Sequence, residues 1–217
     1  AAFVRQMSTP TPALAAADVA ESVAAQCSAP PQVGRQRLGA SALLTMAQDD
    51  ASAASWPMLA ANPQRTSWSS EGVRGNLNPV WYRVIEPYIP PRVQIIAANG
   101  LLYISTVRGL YALYAATGAT AWVYPTELPL GHSPTIYSGV AYVGGFDHKI
   151  HAINAQTGAR RWTFEAGAGF DTNPLVLELN GRTMIYAGNR DGSMYAIEDL
   201  GTRASLVWTT ATNGPIH

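Results

Sequence analysis

Along the second half of the chain, apolar and polar positions alternate in short runs, and pairs of turn-forming residues cut the runs apart. In LYALYA (110–115) and IHAINA (150–155) the alternation places residues 110 and 112, and likewise 150 and 152, on one face and their neighbours on the other. A period of two over runs this short predicts β-strands. Asn99-Gly100, Ser138-Gly139 and Asn180-Gly181 fall between the first two runs of successive groups, where tight hairpins require positive φ. Second turns are expected at Arg108-Gly109, Asp147-His148 and Asp191-Gly192. Third turns are expected at Thr117-Gly118 and Thr157-Gly158, each glycine four residues before a tryptophan.

These groups are copies of one another. Residues 91–124 superpose on residues 131–164 without a gap, and residues 171–210 repeat the plan with small insertions. Trp122 and Trp162 are 40 positions apart, Trp208 lies 46 further on, and Trp81 precedes Trp122 by 41. A period near 40 with four strands per unit marks a β-propeller blade. One blade cannot cover both of its own faces, so neighbours must stack. Small residues at Ala112, Ala152 and Ala196 let adjacent blades approach, and the tryptophans fill the space between them. The fold class is therefore all-β: a propeller of four-stranded antiparallel blades at 91–124, 131–164 and 171–210, with a leading outer strand near 78–85.

The motif aromatic-Ala-Leu/Ile-x-x-x-Thr-Gly-x-x-x-Trp resembles the repeats of pyrroloquinoline-quinone-like propellers, a superfamily holding quinoprotein alcohol dehydrogenases and outer-membrane-assembly lipoproteins. WPMLAANPQRTSWS (56–69) is similar to the entry segment ahead of the first blade in bacterial members. The resemblance covers residues 56–217 and implies a ring of seven or eight blades. At about 40 residues each such a ring needs more chain than three blades supply. A longer parent protein is thus expected, with Trp81 on the strand that closes the ring and its partner strands beyond His217. A neighbouring chain is the alternative source of those blades.

Ahead of this region, residues 1–55 are rich in alanine and contain neither Trp nor Tyr. Thr11 followed by Pro12 is a helix-start signal, and a second helical patch is expected from about Arg35 to Gln48. With too few large apolar residues for its own core, the segment reads as an arm that docks on a partner or stays mobile. Its Cys27 is the chain's one cysteine, which excludes an internal disulfide and reads as an ordinary thiol.

Fourteen basic and fourteen acidic residues cancel, so no net field favours nucleic acid or an anionic membrane. No apolar run approaches the ~18 residues of a spanning helix. No Ser-His-Asp set, phosphate-cradling glycine loop or zinc spacing is present. NRDGS (189–193) lacks the alternating oxygen ligands of a calcium loop and reads as a hairpin. His151 stands where the sister blades have Tyr111 and Tyr195, and reads as a structural variant. His132 and Asp171 are placed at the start of inner strands facing the axial channel, which makes them the axial ligand candidates.

For the quinoprotein enzymes the resemblance implies an axial quinone, a calcium or lanthanide ion held by Glu, Asn and Asp, and often a vicinal cysteine pair; that pair is missing here. The leading expectation is a non-catalytic, extracytoplasmic propeller, without cofactor, serving as a scaffold or protein-binding subunit of an envelope complex. The alternatives are a quinone-dependent alcohol or sugar dehydrogenase, carrying PQQ with calcium or a lanthanide, and a ligand-sensing domain of a membrane receptor or kinase.

Overall fold

The computed structural model describes residues 55–69 and 75–217. The proposed arm, its helical patches and Cys27 lie outside the described residues. Among the described residues there is no helix, and hence none long and apolar enough to cross a membrane.

Twelve strands form three four-stranded antiparallel sheets, each a simple meander in chain order. The first holds β1 (Ile96–Ala98), β2 (Leu101–Thr106), β3 (Gly109–Tyr114) and β4 (Thr120–Pro125). The second holds β5 (Thr135–Tyr137), β6 (Val140–Gly144), β7 (Lys149–Asn154) and β8 (Arg160–Glu165). The third holds β9 (Leu175–Leu179), β10 (Arg182–Gly188), β11 (Ser193–Asp199) and β12 (Ala204–Ala211). The first strands lie side by side, β1 against β5 and β5 against β9, while β12 meets β8 at the other end of the sheets. The three sheets are blades of a partial β-propeller.

Turn chemistry accounts for the hairpins. Asn99-Gly100, Ser138-Gly139 and Asn180-Gly181 all have positive φ at both residues, which is the two-residue turn that matches strand twist. The second hairpins differ from one another, and this corrects the ungapped superposition. Thr106 pairs with Gly109 across a two-residue loop in the first sheet, whereas Gly144 pairs with Ile150 in the second. The first blade is one residue shorter at this point. Ahead of it the true offset is 39, so that Tyr103 corresponds to Tyr142 and Asn99 to Ser138.

Between the sheets lies the core. Across each sheet one row reads Tyr–Ala–Trp: Tyr103 pairs with Ala112 and Ala112 with Trp122, and the row recurs as Tyr142–Ala152–Trp162 and Tyr186–Ala196–Trp208. Each alanine is fully buried beneath two rings whose centroids stand 5.9, 6.0 and 6.0 Å apart. The small residue lets the tyrosine and tryptophan of its own sheet meet above it, a role beyond close approach of the blades. Burying such rings removes large apolar areas from water, at roughly 25 cal/mol per Å².

Trp81, Trp122 and Trp162 each reach the next sheet in the chain. The Trp122 indole lies over Gly158 and donates from Nε1 to the Ala155 carbonyl at 3.0 Å. Trp81 repeats this on Gly118, with the Ala115 carbonyl at 2.9 Å. Residues 78–85, expected as an outer strand, form no ladder with other described residues; Trp81 and the bond from Arg83 Nη1 to the Gly118 carbonyl (2.8 Å) hold them to the first sheet. In the third sheet the Thr-Gly turn is replaced, and Trp162 Nε1 donates instead to Asp199 Oδ1 at 2.9 Å. Trp208, 42% exposed, lies against Tyr186 of its own sheet.

Upstream of the sheets, Trp56 exchanges two backbone hydrogen bonds with Ala97 on the free edge of β1, and the Pro57 carbonyl accepts from Ile136 N of β5. Residues 56–58 thereby lie along the inner edges of two blades, with Met58 buried.

Candidate functional site

After the last strand of each sheet the chain folds back over that sheet's second hairpin. Leu130 N donates to the Thr106 carbonyl, Phe170 N to Gly145 and Ile216 N to Asn189, so these three residues are equivalent. The residues next in chain, Gly131, Asp171 and His217, therefore occupy matching places, and Arg92 takes the corresponding place four residues before β1's Ile96. By this register Asp171 matches Gly131, and His132 sits one step further on. Neither His132 nor Asp171 begins a strand: β5 starts at Thr135 and β9 at Leu175. Both lie on the connection that folds back over the preceding hairpin, three or four residues before the strand begins.

The structure nevertheless brings the two together. Asp171 Oδ1 lies 3.6 Å from His132 Nε2, and its Oδ2 lies 3.3 Å from His217 Nδ1. Gly131 makes room for this cluster, since a Cβ there would stand 2.8 Å from Asp171 Oδ1 and 3.2 Å from the Phe146 ring. A cavity of about 430 Å³ opens beside it, bordered by Pro91, Arg92, Phe146, Asp171 and His217. The Arg190 guanidinium stands 5.7 Å from the Phe146 ring centre.

Both ring nitrogens of His132 are buried without a hydrogen-bond partner among the described residues. Burial pushes the imidazole below the usual histidine range; the Asp171 carboxylate opposes this and Arg92 reinforces it. The linkage has a definite sign. Below the ordinary value of 6.5 the unfolded imidazole takes up a proton that the folded one resists, so stability falls as pH drops through that region. A His132→Gln variant is expected to flatten the loss of stability between about pH 7.5 and about pH 5 in denaturant titrations. An unchanged slope would show that His132 does not set it.

Sequence reasoning overlooked a polar girdle at the entry to the inner strands. Gln94 N donates to Ser133 Oγ at 2.6 Å, and Ser133 Oγ donates back to the Gln94 carbonyl at 2.9 Å. Asn173 Nδ2 donates to the Ser133 carbonyl at 2.8 Å, and Thr135 Oγ1 to the Pro174 carbonyl at 2.6 Å. Gln94, Ser133 and Asn173 hold equivalent positions, and their recurrence at 39 and 40 residues was the available signal.

A calcium or lanthanide ion requires several oxygen donors. Asp171 is the one carboxylate among the described residues that border the axial cavity, and His217 Nδ1 lies 3.3 Å from it. The residues present do not fit such an ion, and no group of three His, Cys, Asp or Glu among the described residues is arranged to hold a metal.

Residues 59–204 match the family described as outer membrane protein assembly factor BamB. Among solved structures the chain is similar to BamB from Moraxella catarrhalis, with 25% identity over 52% of this chain and 33% of that one, and a TM-score of 0.42. It is also similar to the quinohemoprotein alcohol dehydrogenases of Comamonas testosteroni (18% identity, 72% of this chain, 27% of that one, TM-score 0.56) and Pseudomonas putida HK5 (17%, 72%, 26%, 0.54). The chain spans about a quarter to a third of the length of these structures. No curated protein matches it. The two enzymes are similar to it in fold alone.

Proposed function

Because the chain belongs to the BamB family of outer membrane protein assembly factors, we propose that it is a non-catalytic, extracytoplasmic propeller that serves as a scaffold or protein-binding subunit of an envelope assembly. The carrying observation is the family match across residues 59–204, which spans all three sheets up to the start of the last strand. Hairpins and inter-sheet connections gathered at one end of stacked sheets offer loops on a rigid base, an arrangement suited to protein contacts. The donor set beside the axial cavity supports the same reading, since a single carboxylate among the described residues borders it. Residues 1–55 are proposed as the docking arm and residues 56–217 as the propeller portion.

The test is affinity capture of the native protein from envelope extracts, with and without residues 1–55. Loss of specific partners on removing the arm is the expected result, and an identical partner set would count against the arm's role. The dehydrogenase reading makes a separate prediction: purified protein would bind pyrroloquinoline quinone with a divalent or lanthanide ion and reduce an artificial dye. Absence of both quinone uptake and dye reduction is expected.

A further inference from the structure

Where the first and second sheets meet, an imidazole stands in a place that the next seam fills with a phenol. Between the second and third sheets, Phe164 lies edge-on to Tyr195 at 6.0 Å, and the Tyr195 hydroxyl donates directly to Asp191 at 2.6 Å. One seam earlier the same places hold Tyr124 on β4, His151 on β7 and Asp147 in the hairpin before β7. His151 Nε2 lies 3.0 Å from Asp147 Oδ2, and Tyr124 Oη lies 3.0 Å from His151 Nδ1. The imidazole thus bridges two sheets, and the His151 and Asp147 side chains are only 4% and 7% exposed.

The position of each hydrogen follows from the carboxylate. Burial would push the Asp147 carboxyl up, but bonds from the His151 ring and the Lys149 backbone N–H hold it below the usual range, so it is ionised and can only accept. In the neutral imidazole Nε2 therefore carries the single ring hydrogen. Nδ1 is bare and accepts the hydroxyl hydrogen of Tyr124. A second proton on the ring has to go to Nδ1, where Tyr124 Oη already stands. Two hydrogens cannot occupy one bond. The ring nitrogen becomes the donor, the phenol oxygen becomes the acceptor, and the hydroxyl hydrogen leaves the seam.

That hydrogen has a place to go. A polar cavity of about 120 Å³ borders Tyr124, and Thr126, Glu127 and Thr163 on its wall are acceptors. Arg160 and Lys149, also on the wall, can only donate. The charged groups around the imidazole are Asp147 and Lys149 of its own hairpin and strand, Arg160 of β8, and Glu127 on the connection after β4. These are two of each sign, so proton uptake adds charge to a balanced set.

We propose that this seam is a proton switch: when His151 takes up its second proton, the Tyr124–His151 hydrogen bond reverses and the Tyr124 hydroxyl turns its hydrogen out of the seam into the cavity. The two sheets stay joined in both states. What changes is the cavity wall, which gains a donor in the acid state and loses it in the other. The second seam has no imidazole and cannot switch. The device is independent of the scaffold role and of the axial cavity.

The test is nuclear magnetic resonance of the full chain with isotope-labelled histidine nitrogens and tyrosine ring carbons, titrated from about pH 8 to about pH 5. At the upper end His151 Nδ1 is expected to give the signal of a bare, hydrogen-bonded nitrogen, and Nε2 that of a protonated one. On acidification the Nδ1 signal should move to the protonated position. The Tyr124 carbon that bears the hydroxyl should shift with the same midpoint, while Tyr195 stays flat as the internal control. His151→Tyr, which installs the residue of the third blade, should flatten the Tyr124 response. His151→Gln, polar but without a titrating ring, should do the same and serves as the second variant. A hydrogen on Nδ1 at the upper end, an imidazole in one state across the whole range, or a Tyr124 signal that ignores the His151 titration in the folded parent would each overturn the proposal.

Discussion

Replacing Gly158 with alanine is expected to destabilise the protein by about 3 kcal/mol, the sum of a left-handed backbone strain near 1 kcal/mol and an overpacking penalty of roughly 1–3 kcal/mol. At Gly158 φ is +74°, and an added Cβ would stand 2.7 Å from Trp122 Cδ2 and 2.8 Å from Cε3. A built-in control separates the two terms. Gly139 has nearly the same φ, +72°, but a Cβ there meets nothing within 4 Å. Gly139→Ala should therefore lose only the backbone part, about 1 kcal/mol. Pairing Gly158→Ala with Trp122→Ala in a double-mutant cycle should recover most of the overpacking penalty, because the clash partner is gone. Equal losses at Gly158 and Gly139 in urea titrations would mean that the indole does not press on the hairpin.

The second large effect is expected at Asp199. Its carboxylate accepts from Tyr142 Oη at 2.6 Å, from Trp162 Nε1 at 2.9 Å and from Gly201 N at 2.6 Å, and so does the work that the Ala155 carbonyl does one seam earlier. Burial, followed by this hydrogen bond, pushes the Tyr142 hydroxyl well above the usual phenol range, so the phenol keeps its proton and remains a donor. Asp199→Ala leaves three donors without their acceptor, and a loss of about 2–4 kcal/mol is expected from the typical worth of hydrogen bonds to charged groups. Asp199→Asn keeps one carbonyl oxygen but turns an NH₂ toward a donor, so it should fall between the two. Tyr142→Phe should lose less, because the Trp162 bond survives. A change below about 0.5 kcal/mol for Asp199→Ala would show that water satisfies the donors equally well.

How much of this was legible in the chain follows from how local each cause is. Asn99-Gly100 and its sister pairs announce themselves because positive φ restricts residue choice at that very position. The tryptophan period was visible for the same reason: one side chain meets one recurring steric requirement. The ring pairs were harder. Tyr103, Tyr142 and Tyr186 recur at 39 and 44 residues, and only the cross-strand register places them beside the alanines and tryptophans that stood out. Asp199 was hidden, because there a side chain replaces a backbone carbonyl and the Thr-Gly mark is absent from the third blade. At the axial end, alternation singles out His132 and Asp171 one by one, but the approach of His217 to Asp171 depends on how the chain folds back after the third sheet. A contact across 46 positions leaves no trace in local pattern.

The docking of each indole on the next sheet also has a direction in time. If the sheets close in chain order, a newly completed meander does not supply the acceptor for its own indole N–H, which comes 33 to 37 residues later. A chain folding in that order carries one unsatisfied indole at its advancing end and hands that role forward as each sheet closes the one before. The apolar surface left open then stays about constant instead of accumulating with length.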